Sequence, residues 1–327
     1  MKARAGIILA AGQGTRMKSA KAKVMHAVAG RPILGHVIAA MQGAQVQRIV
    51  VVTAPDAEEV RAYAAEQGAQ SVVQDAQLGT GHAAACAAAS LGDFAGAVVV
   101  SYGDHPLFTA QTFDASFEAS EAAGMAVVAF RSTNKAYGRV IVGRDGMLDR
   151  IVEYRDADEA DRGVDLCNAG IMAADCPSFF RWAAKLRNEN AQGEYYLTDI
   201  PSFAKAERVK CAVVTADEGE TMGVNSRAEL ALAEAAMQHR LRAKLLESGV
   251  GMTAPETVWL SFDTVIEPDT LIDPFVVFGP GVTVRSGAHI RAFSHLEGAE
   301  VGPRATVGPY ARLRPGTRIE EEAHIGN

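Results

Sequence analysis

The chain has 327 residues, a formal net charge of −7 and a pI of about 5.7. At about 150 residues per domain this length predicts two domains, and the acidic balance argues against a nucleic-acid partner. The four cysteines form no C-x-x-C pair, the histidines form no zinc motif, and there is neither an apolar leader nor a long apolar run, so we expect a cytoplasmic protein with reduced thiols and no membrane partner.

The first predicted element is a buried strand at residues 7–9, followed by a small-residue turn at residues 10–15 and by the cations Arg16, Lys18, Lys21 and Lys23. Glycines let the backbone of such a turn lie close to a ligand. Its free N–H groups favour an anion. The stretch therefore predicts a polyphosphate site.

Two common phosphate loops do not fit this turn. No G-x-x-x-x-G-K-[ST] string is present here, and Met17 stands where a dinucleotide fingerprint needs its third glycine. An ordinary glycine turn would explain the glycines but not the cations. Residues 9–17 match L-A-A-G-x-G-T-R-[ML] and so resemble the sugar-1-phosphate nucleotidyltransferases.

That resemblance implies a nucleotide cradle in this turn. The backbone positions that it implies are Leu9, Ala10, Ala11, Gly12 and Gly14. Arg16 would stabilise a leaving pyrophosphate, and Lys23 would bridge phosphates. Gln13 stands where many relatives carry Lys, so one pyrophosphate contact is expected to be weaker.

Strands and helices then alternate along the chain. Helices are predicted at 32–41, 57–67 and 81–90, and strands at 48–53, 71–74 and 95–101. This alternation is typical of a Rossmann-like open parallel sheet with helices on both faces. Ligands of such sheets collect at the carboxyl ends of the strands.

The string QDAQLGTGH at residues 74–82 follows one of these strand ends. By its residues alone it is either a capped loop or a pocket for the amide edge of a pyrimidine. The string resembles Q-x-x-x-L-G-T-[GA]-H-A of uridyltransferases, which implies that Gln74, Gly79 and Thr80 contact the nucleotide.

The string SYGDHPL at residues 101–107 follows the next strand end. Asp104 is either a Mg²⁺ ligand, since Mg²⁺ takes one or two carboxylates plus substrate oxygens, or the start of an Asx-turn. The string resembles Y-G-D-x-P-L with His105 at the variable position. The resemblance implies substrate contacts from Tyr102 and Gly103 and a metal bond from Asp104.

From residue 125 onward, short strands are predicted at 126–130, 139–142, 147–155, 167–173 and 210–215. The strings Y-G-R, I-V-E and N-A-G resemble the family's sugar contacts, which implies roles for Gly138, Glu153 and Asn168. Glu153 could instead be a solvated strand residue, and Asn168 a turn former. The string GEYYLTD, in a polar loop at 190–201, would close the sugar pocket.

The string MGVNSR at residues 222–227 precedes a long predicted helix at 228–248. Asn225 is either a second ligand of the same Mg²⁺, as the resemblance favours, or the N-cap of that helix. Beyond the helix, apolar residues recur at every sixth position from Ile266 to Ile325, with one five-residue step. This period predicts a parallel β-helix of hexapeptide repeats, with about three hexads per coil.

Together these motifs resemble the bacterial bifunctional N-acetylglucosamine-1-phosphate uridyltransferases/glucosamine-1-phosphate acetyltransferases. The resemblance implies a nucleotidyltransferase (pyrophosphorylase) domain at 1–227, a linker helix at 228–249 and a partial left-handed β-helix at 250–327. It implies conversion of UTP and N-acetylglucosamine-1-phosphate to UDP-GlcNAc and pyrophosphate, with Mg²⁺ as cofactor.

The same resemblance implies a second activity, acetyl transfer from acetyl-CoA, between subunits of a homotrimer. Of its residues only Arg314 lies in this chain, which looks C-terminally truncated; we expect that activity to be absent here and trimerisation to be weakened. A nucleotidyltransferase for another sugar and a non-catalytic scaffold are the alternatives, and Arg16, Lys23, Asp104 and Asn225 argue against the scaffold.

Overall fold

The computed structural model describes residues 2–134, 137–190 and 192–326. The chain forms two compact units, Met1–His26 with Pro32–Glu229, and Ala27–Arg31 with Leu230–Asn327. Ala191 of the predicted polar loop and Asn327 of the predicted repeat lie outside the described residues. Nothing in the sequence pattern predicts that residues 27–31 group with the second unit.

The first unit contains a mixed β-sheet. Its strands are β1 Arg4–Ala10, β2 Arg48–Thr53, β3 Gln70–Val73, β4 Ala97–Tyr102, β5 Gly124–Arg131, β6 Arg139–Val142, β7 Leu148–Val152, β8 Leu166–Asp175 and β9 Lys210–Thr215. Their order is β9-β5-β8-β4-β1-β2-β3, and the β6–β7 hairpin pairs with β8. Strands β4, β1, β2 and β3 are parallel neighbours.

Helices connect these strands. They are α1 Ile33–Gly43, α2 Glu58–Glu66, α3 Thr80–Cys86, α4 Ala88–Leu91, α5 Ala110–Ala123, α6 Glu159–Arg162, α7 Cys176–Ala183, α8 Ile200–Ala206 and α9 Arg227–Glu247. The single helix predicted at 81–90 is therefore two helices. Among the described residues, no helix is both long enough and apolar enough to cross a membrane.

The parallel sheet predicted from the first half of the chain is confirmed for β4, β1, β2 and β3. In the second half, β8 runs antiparallel to both β5 and β4. A parallel return needs a crossover of a dozen or more residues, usually a helix. Between β5 and β8 the chain forms the β6–β7 hairpin and only the four-residue helix α6. The Rossmann-like α/β class is confirmed, with this antiparallel insertion.

The core consists of two apolar layers, one on each face of the sheet. Successive residues of a strand face opposite sides, and β1 shows this alternation: Ile7 belongs to one layer and Ile8 to the other, both fully buried. A strand covered on both faces reads as a continuous apolar run. This explains why residues 7–9 are apolar without a polar alternation.

The second unit contains the predicted hexapeptide-repeat β-helix. Its two-residue strands are Gly251–Met252, Val265–Ile266, Leu271–Ile272, Val277–Phe278, Thr283–Val284, His289–Ile290, His295–Leu296, Glu300–Val301, Thr306–Val307, Arg312–Leu313, Arg318–Ile319 and His324–Ile325. They form three parallel sheets. Ile272 pairs with Ile290, three hexads further along the chain, and both are fully buried. Two further short strands, Ala27–Val28 and Arg31–Pro32, pair with each other.

Candidate nucleotide and metal site

The candidate site lies at the carboxyl edge of the first unit's sheet. Because β1 to β4 are parallel, the loops that follow them leave from the same edge. The Gly103 N–H donates to the Leu9 carbonyl at 2.9 Å, and the Gln74 N–H donates to the Thr53 carbonyl at 2.9 Å. The predicted loops are thus adjacent.

A first cavity of about 270 Å³ lies between these loops. Ten predicted site residues line it: Leu9, Ala10, Ala11, Gly12, Lys23, Gln74, Gly79, Thr80, Tyr102 and Asp104. Sequence reasoning missed Gln77 and Glu194, which also line it. Both stand inside strings that the sequence singled out, and the Gln77 side chain donates to the Ala11 carbonyl at 2.6 Å.

The glycine turn is packed against the stem of Lys23. Gly14 has a φ of 60°, and a Cβ at this position would lie 2.7 Å from the Cβ of Lys23. Gly12, by contrast, has no other atom within 4 Å of where its Cβ would lie. Gly14 therefore allows the turn to contact Lys23, while the backbone at Gly12 stays open to a ligand.

A second cavity of about 360 Å³ adjoins the first. Five predicted site residues line it: Arg16, Tyr102, Asp104, Asn168 and Asn225. Tyr102 and Asp104 line both cavities, so they stand where the two meet. Burial raises the pKa of Tyr102, and the charges of Glu153 and Asp104 raise it further, so its phenol stays protonated.

Three side chains meet at this junction. The Lys23 ammonium contacts Asp104 Oδ2 and lies 2.9 Å from Asn225 Oδ1. Burial alone would raise the pKa of Asp104, but the charges and hydrogen bonds of His105 and Lys23 outweigh it and lower that pKa well below its usual range. Asp104 is thus ionised, and its carboxylate and the Asn225 amide oxygen converge on one cation.

Asn225 is not the N-cap of α9. The Ser226 hydroxyl accepts from the Glu229 N–H at 3.2 Å, and Glu229 accepts from the Asn225 N–H at 2.7 Å. Ser226 and Glu229 form the S-x-x-E pattern of a capping box. The capping role belongs to Ser226, which leaves the Asn225 side chain directed at Lys23.

Hydrogen bonds of buried and half-buried side chains hold the loop at residues 74–82 in place. Gln74 is 3% exposed, and its amide nitrogen lies 3.3 Å from the Gly79 carbonyl and 2.9 Å from His82 Nδ1. The Thr80 hydroxyl accepts from the Leu197 N–H at 3.1 Å. The GEYYLTD segment therefore supports the floor of the first cavity.

Among the three predicted sugar residues, Gly138 lies next to both Glu153 and Asn168. A Cβ on Gly138 would lie 3.4 Å from Glu153 Oε2, and the Asn168 N–H donates to the Gly138 carbonyl at 2.9 Å. Glu153 is half-buried, accepts from the Thr198 hydroxyl at 3.1 Å, and has a pKa raised by burial. Within β8, the Asn168 side chain also accepts from the Gly170 N–H at 3.1 Å, the hydrogen bond of an Asx-turn, where the pairing of β8 with β5 is irregular.

Five predicted site residues line neither cavity: Gly14, Gly103, Gly138, Glu153 and Arg314. Gly103 lies behind the first cavity, where a Cβ would be 3.1 Å from Ile8 and 3.2 Å from Ala10; its small size lets β4 leave the sheet beside β1. Arg314 is exposed in the second unit.

Two family models match the chain. Residues 6–169, half of the chain, match the MobA-like NTP transferase domain, and residues 263–298 match the bacterial transferase hexapeptide repeat. The first match contains the glycine turn, Asp104 and Asn168 but ends before Asn225.

The chain is also similar to proteins named Bifunctional protein GlmU. It is 52% identical over 270 residues to that of Gluconacetobacter diazotrophicus, covering 80% of this chain and 57% of the relative. It is 50% identical over 263 residues to that of a Ruegeria species (80% and 58%) and 47% identical over 267 residues to that of Maricaulis maris (81% and 59%). The chain thus spans less than two thirds of each relative.

A nucleotidyltransferase domain implies a divalent metal cofactor, and the junction fits one. Asp104 and Asn225 offer hard oxygen ligands, and the Lys23 ammonium between them shows that both can face a single cation. Among the described residues no group of three His, Cys, Asp or Glu side chains could hold a metal. Water and substrate oxygens would fill the remaining positions around a metal held by Asp104 and Asn225. The match to the family model covers half of the chain, and the glycine turn and the site at the sheet edge agree with it. The chain therefore belongs to the MobA-like NTP transferase domain family.

Proposed function

We propose that the first unit, corresponding to the nucleotidyltransferase domain expected at residues 1–227, transfers uridylyl from UTP to N-acetylglucosamine-1-phosphate, giving UDP-GlcNAc and pyrophosphate. The observation that carries this proposal is the convergence of Asp104, Asn225 and Lys23 where the two cavities meet. A nucleotide in the first cavity and a sugar phosphate in the second would bring their phosphates together at that point. The sugar itself is inferred from the motif resemblance.

The reaction is an in-line substitution at the α-phosphorus of UTP. A phosphate oxygen of the sugar phosphate forms the new P–O bond as the bond to pyrophosphate breaks. Such a transition state needs positioning and charge neutralisation more than covalent catalysis. The cofactor is Mg²⁺, which when bound would neutralise phosphate charge.

The protein's own groups have separate roles in this scheme. The backbone from Leu9 to Gly12 and the loop around Gln74 bind the nucleotide. Lys23 contacts the phosphates as a point charge, and Arg16, at the rim of the second cavity, stabilises the leaving pyrophosphate. Asp104 and Asn225 hold the metal. Gly138, Glu153 and Asn168 orient the sugar.

A substrate panel tests this function. Pyrophosphate release is measured with UTP, CTP, ATP or GTP, each paired with N-acetylglucosamine-1-phosphate, glucose-1-phosphate or glucosamine-1-phosphate. We expect the highest kcat/KM for UTP with N-acetylglucosamine-1-phosphate. A higher kcat/KM with glucose-1-phosphate would reassign the sugar, and no release with any pair would favour the scaffold alternative.

For the second unit we propose a role in the acetyl transfer of a longer protein, in which Arg314 would contact substrate and acetyl-CoA would be the donor. Its hexapeptide match supports this proposal, and a homotrimer is the assembly that goes with it. We expect the 327 residues alone to release no CoA from acetyl-CoA and glucosamine-1-phosphate.

A further inference from the structure

His105 is the one member of the SYGDHPL string at a variable motif position, and the function proposed above gives it no role. The residue is 9% exposed. Its ring stacks against two aromatic rings, with its centroid 5.6 Å from that of Tyr102 and 5.3 Å from that of Phe108. The interplanar angles are 28° and 9°. These two stacking contacts restrict the plane of the imidazole.

The edge of this ring contacts the carboxylate at the cavity junction. Nδ1 lies 2.7 Å from Asp104 Oδ1, and because a carboxylate only accepts, Nδ1 is the donor. The other oxygen, Oδ2, faces Lys23. Without the Nδ1–H the carboxylate could rotate about its Cβ–Cγ bond. With it, Oδ1 is held and Oδ2 is directed at the shared cation position.

The same ring also lies next to the segment that carries Asn225. A Cβ on Gly223 would lie 3.0 Å from both Cε1 and Nε2 of His105, so there is no room for a side chain between this backbone and the ring. The Val224 N–H donates to the Asp104 carbonyl at 2.9 Å. His105 therefore touches both segments whose oxygens converge.

We infer that His105 is a positioning residue for the metal site: its Nδ1–H orients the Asp104 carboxylate, and its ring sets the spacing between residue 104 and the segment that carries Asn225. Groups that hydrogen-bond a metal ligand from behind commonly change metal affinity by about 10–100-fold when removed. The inference rests on the proposed function, because it takes Asp104 to be a metal ligand.

Two substitutions separate orientation from mere filling of space. His105→Leu removes the donor and the ring stacking, whereas His105→Asn removes the stacking but places an amide N–H close to the position of Nδ1. A space-filling role predicts that the two variants are impaired alike. An orienting role predicts that asparagine retains function even if leucine gives the more stable protein.

The test measures two values. The first is the Kd for Mn²⁺ in the absence of substrate, obtained from the EPR signal of free Mn²⁺. The second is the Mg²⁺ concentration that gives half-maximal pyrophosphate release. We expect both values to rise about tenfold or more in His105→Leu and to stay near wild type in His105→Asn. Equal effects in the two variants, an unchanged leucine variant, or no Mn²⁺ binding by the wild type would each overturn the inference.

The Mn²⁺ measurement needs no turnover, so it separates failure of this inference from failure of the proposed function, which the wild-type substrate panel decides. Circular dichroism checks that each variant folds. If His105→Leu does not fold, His105→Ala replaces it, because alanine lacks the donor without adding bulk.

Discussion

At the scale of single residues, the junction between the two cavities is organised around the charge of Lys23. Its ammonium contacts Asp104 and lies 2.9 Å from Asn225 Oδ1. Its side chain is only 12% exposed. A cation that occupies both oxygens must compete with a metal ion for them. In the proposed function, Lys23 would turn toward the substrate phosphates when metal and nucleotide bind.

Lys23→Met is expected to separate metal binding from turnover. Without the competing ammonium, Mn²⁺ should bind the protein at least as tightly as in the wild type, while pyrophosphate release should fall by about 100-fold because a phosphate contact is lost. The control is Lys210→Met, since Lys210 is exposed on β9, outside the cation run, and this change should leave both quantities unchanged. Weaker Mn²⁺ binding by Lys23→Met would contradict the competition.

Glu153→Gln is expected to stabilise the protein at neutral pH and to weaken binding of the sugar phosphate. Burial raises the pKa of Glu153 above its ordinary value of 4.5, so around and above that pH the folded state binds more protons than the unfolded state. Stability therefore falls as pH rises through the folded pKa. Glutamine carries no charge and removes this loss.

Melting temperatures at about pH 4 and about pH 8 measure the effect, because the unfolded carboxyl titrates between them. The variant should gain stability over the wild type only at the higher pH, and its KM for the sugar phosphate should rise. Glu189→Gln is the control, since the Glu189 side chain is 78% exposed. An equal gain at both pH values would show that the buried charge is not the cause.

At the scale of elements, strand positions were the most predictable part of the fold. The strands Arg48–Thr53, Arg139–Val142 and Lys210–Thr215 have the bounds that the sequence predicted, because runs of β-branched residues favour strands. The direction of β8 was not predictable from such a run, since it depends on the connection before it. The hexapeptide coils were predictable because a buried apolar residue recurs at every sixth position, as Ile272 and Ile290 show three hexads apart.

The candidate site was predictable where a loop carries a motif. The residues of the glycine turn and of the loops at 74–82 and 101–107 lie together because parallel strands deliver them to one edge. His105 gave no signal because it occupies a variable motif position. The N-cap role of Ser226, in contrast, was predictable from the S-x-x-E pattern that it forms with Glu229.

Gly14→Ala tests the contact between the glycine turn and Lys23. Alanine at a φ of 60° costs about 1–2 kcal/mol, and its Cβ would also displace the Lys23 stem, so kcat should fall along with stability. Gly68→Ala is the matched control, since Gly68 has a φ of 77° and no atom within 4 Å of a new Cβ. Thermal melts and steady-state kinetics should show a stability loss in both variants but a kinetic loss only in Gly14→Ala; full activity of Gly14→Ala would contradict the contact's role.

At the scale of the whole molecule, the chain divides into two units with different kinds of core. The candidate nucleotide and metal site lies within the first unit. The second unit has its own apolar core inside the β-helix. Damage to that core should therefore leave the chemistry of the site intact.

Ile290→Ala is expected to destabilise the second unit by about 2–5 kcal/mol, because Ile290 is fully buried and alanine leaves a cavity. Urea denaturation measures the loss, and the KM for UTP should not change. Val277→Ala is the control, since Val277 is 37% exposed and should cost much less. A large change in the KM for UTP in Ile290→Ala would show that the site depends on the second unit.

The most direct test of the proposed mechanism is UDP-GlcNAc formation from UTP and N-acetylglucosamine-1-phosphate, in the presence of Mg²⁺, by the wild type, Asp104→Ala and Asp93→Ala. Asp93 has an 81% exposed side chain, lies outside the site loops and serves as the control. We predict that Asp104→Ala lowers kcat by about 100-fold or more, while Asp93→Ala turns over like the wild type. Undiminished turnover by Asp104→Ala would remove the carboxylate from the mechanism and contradict the account.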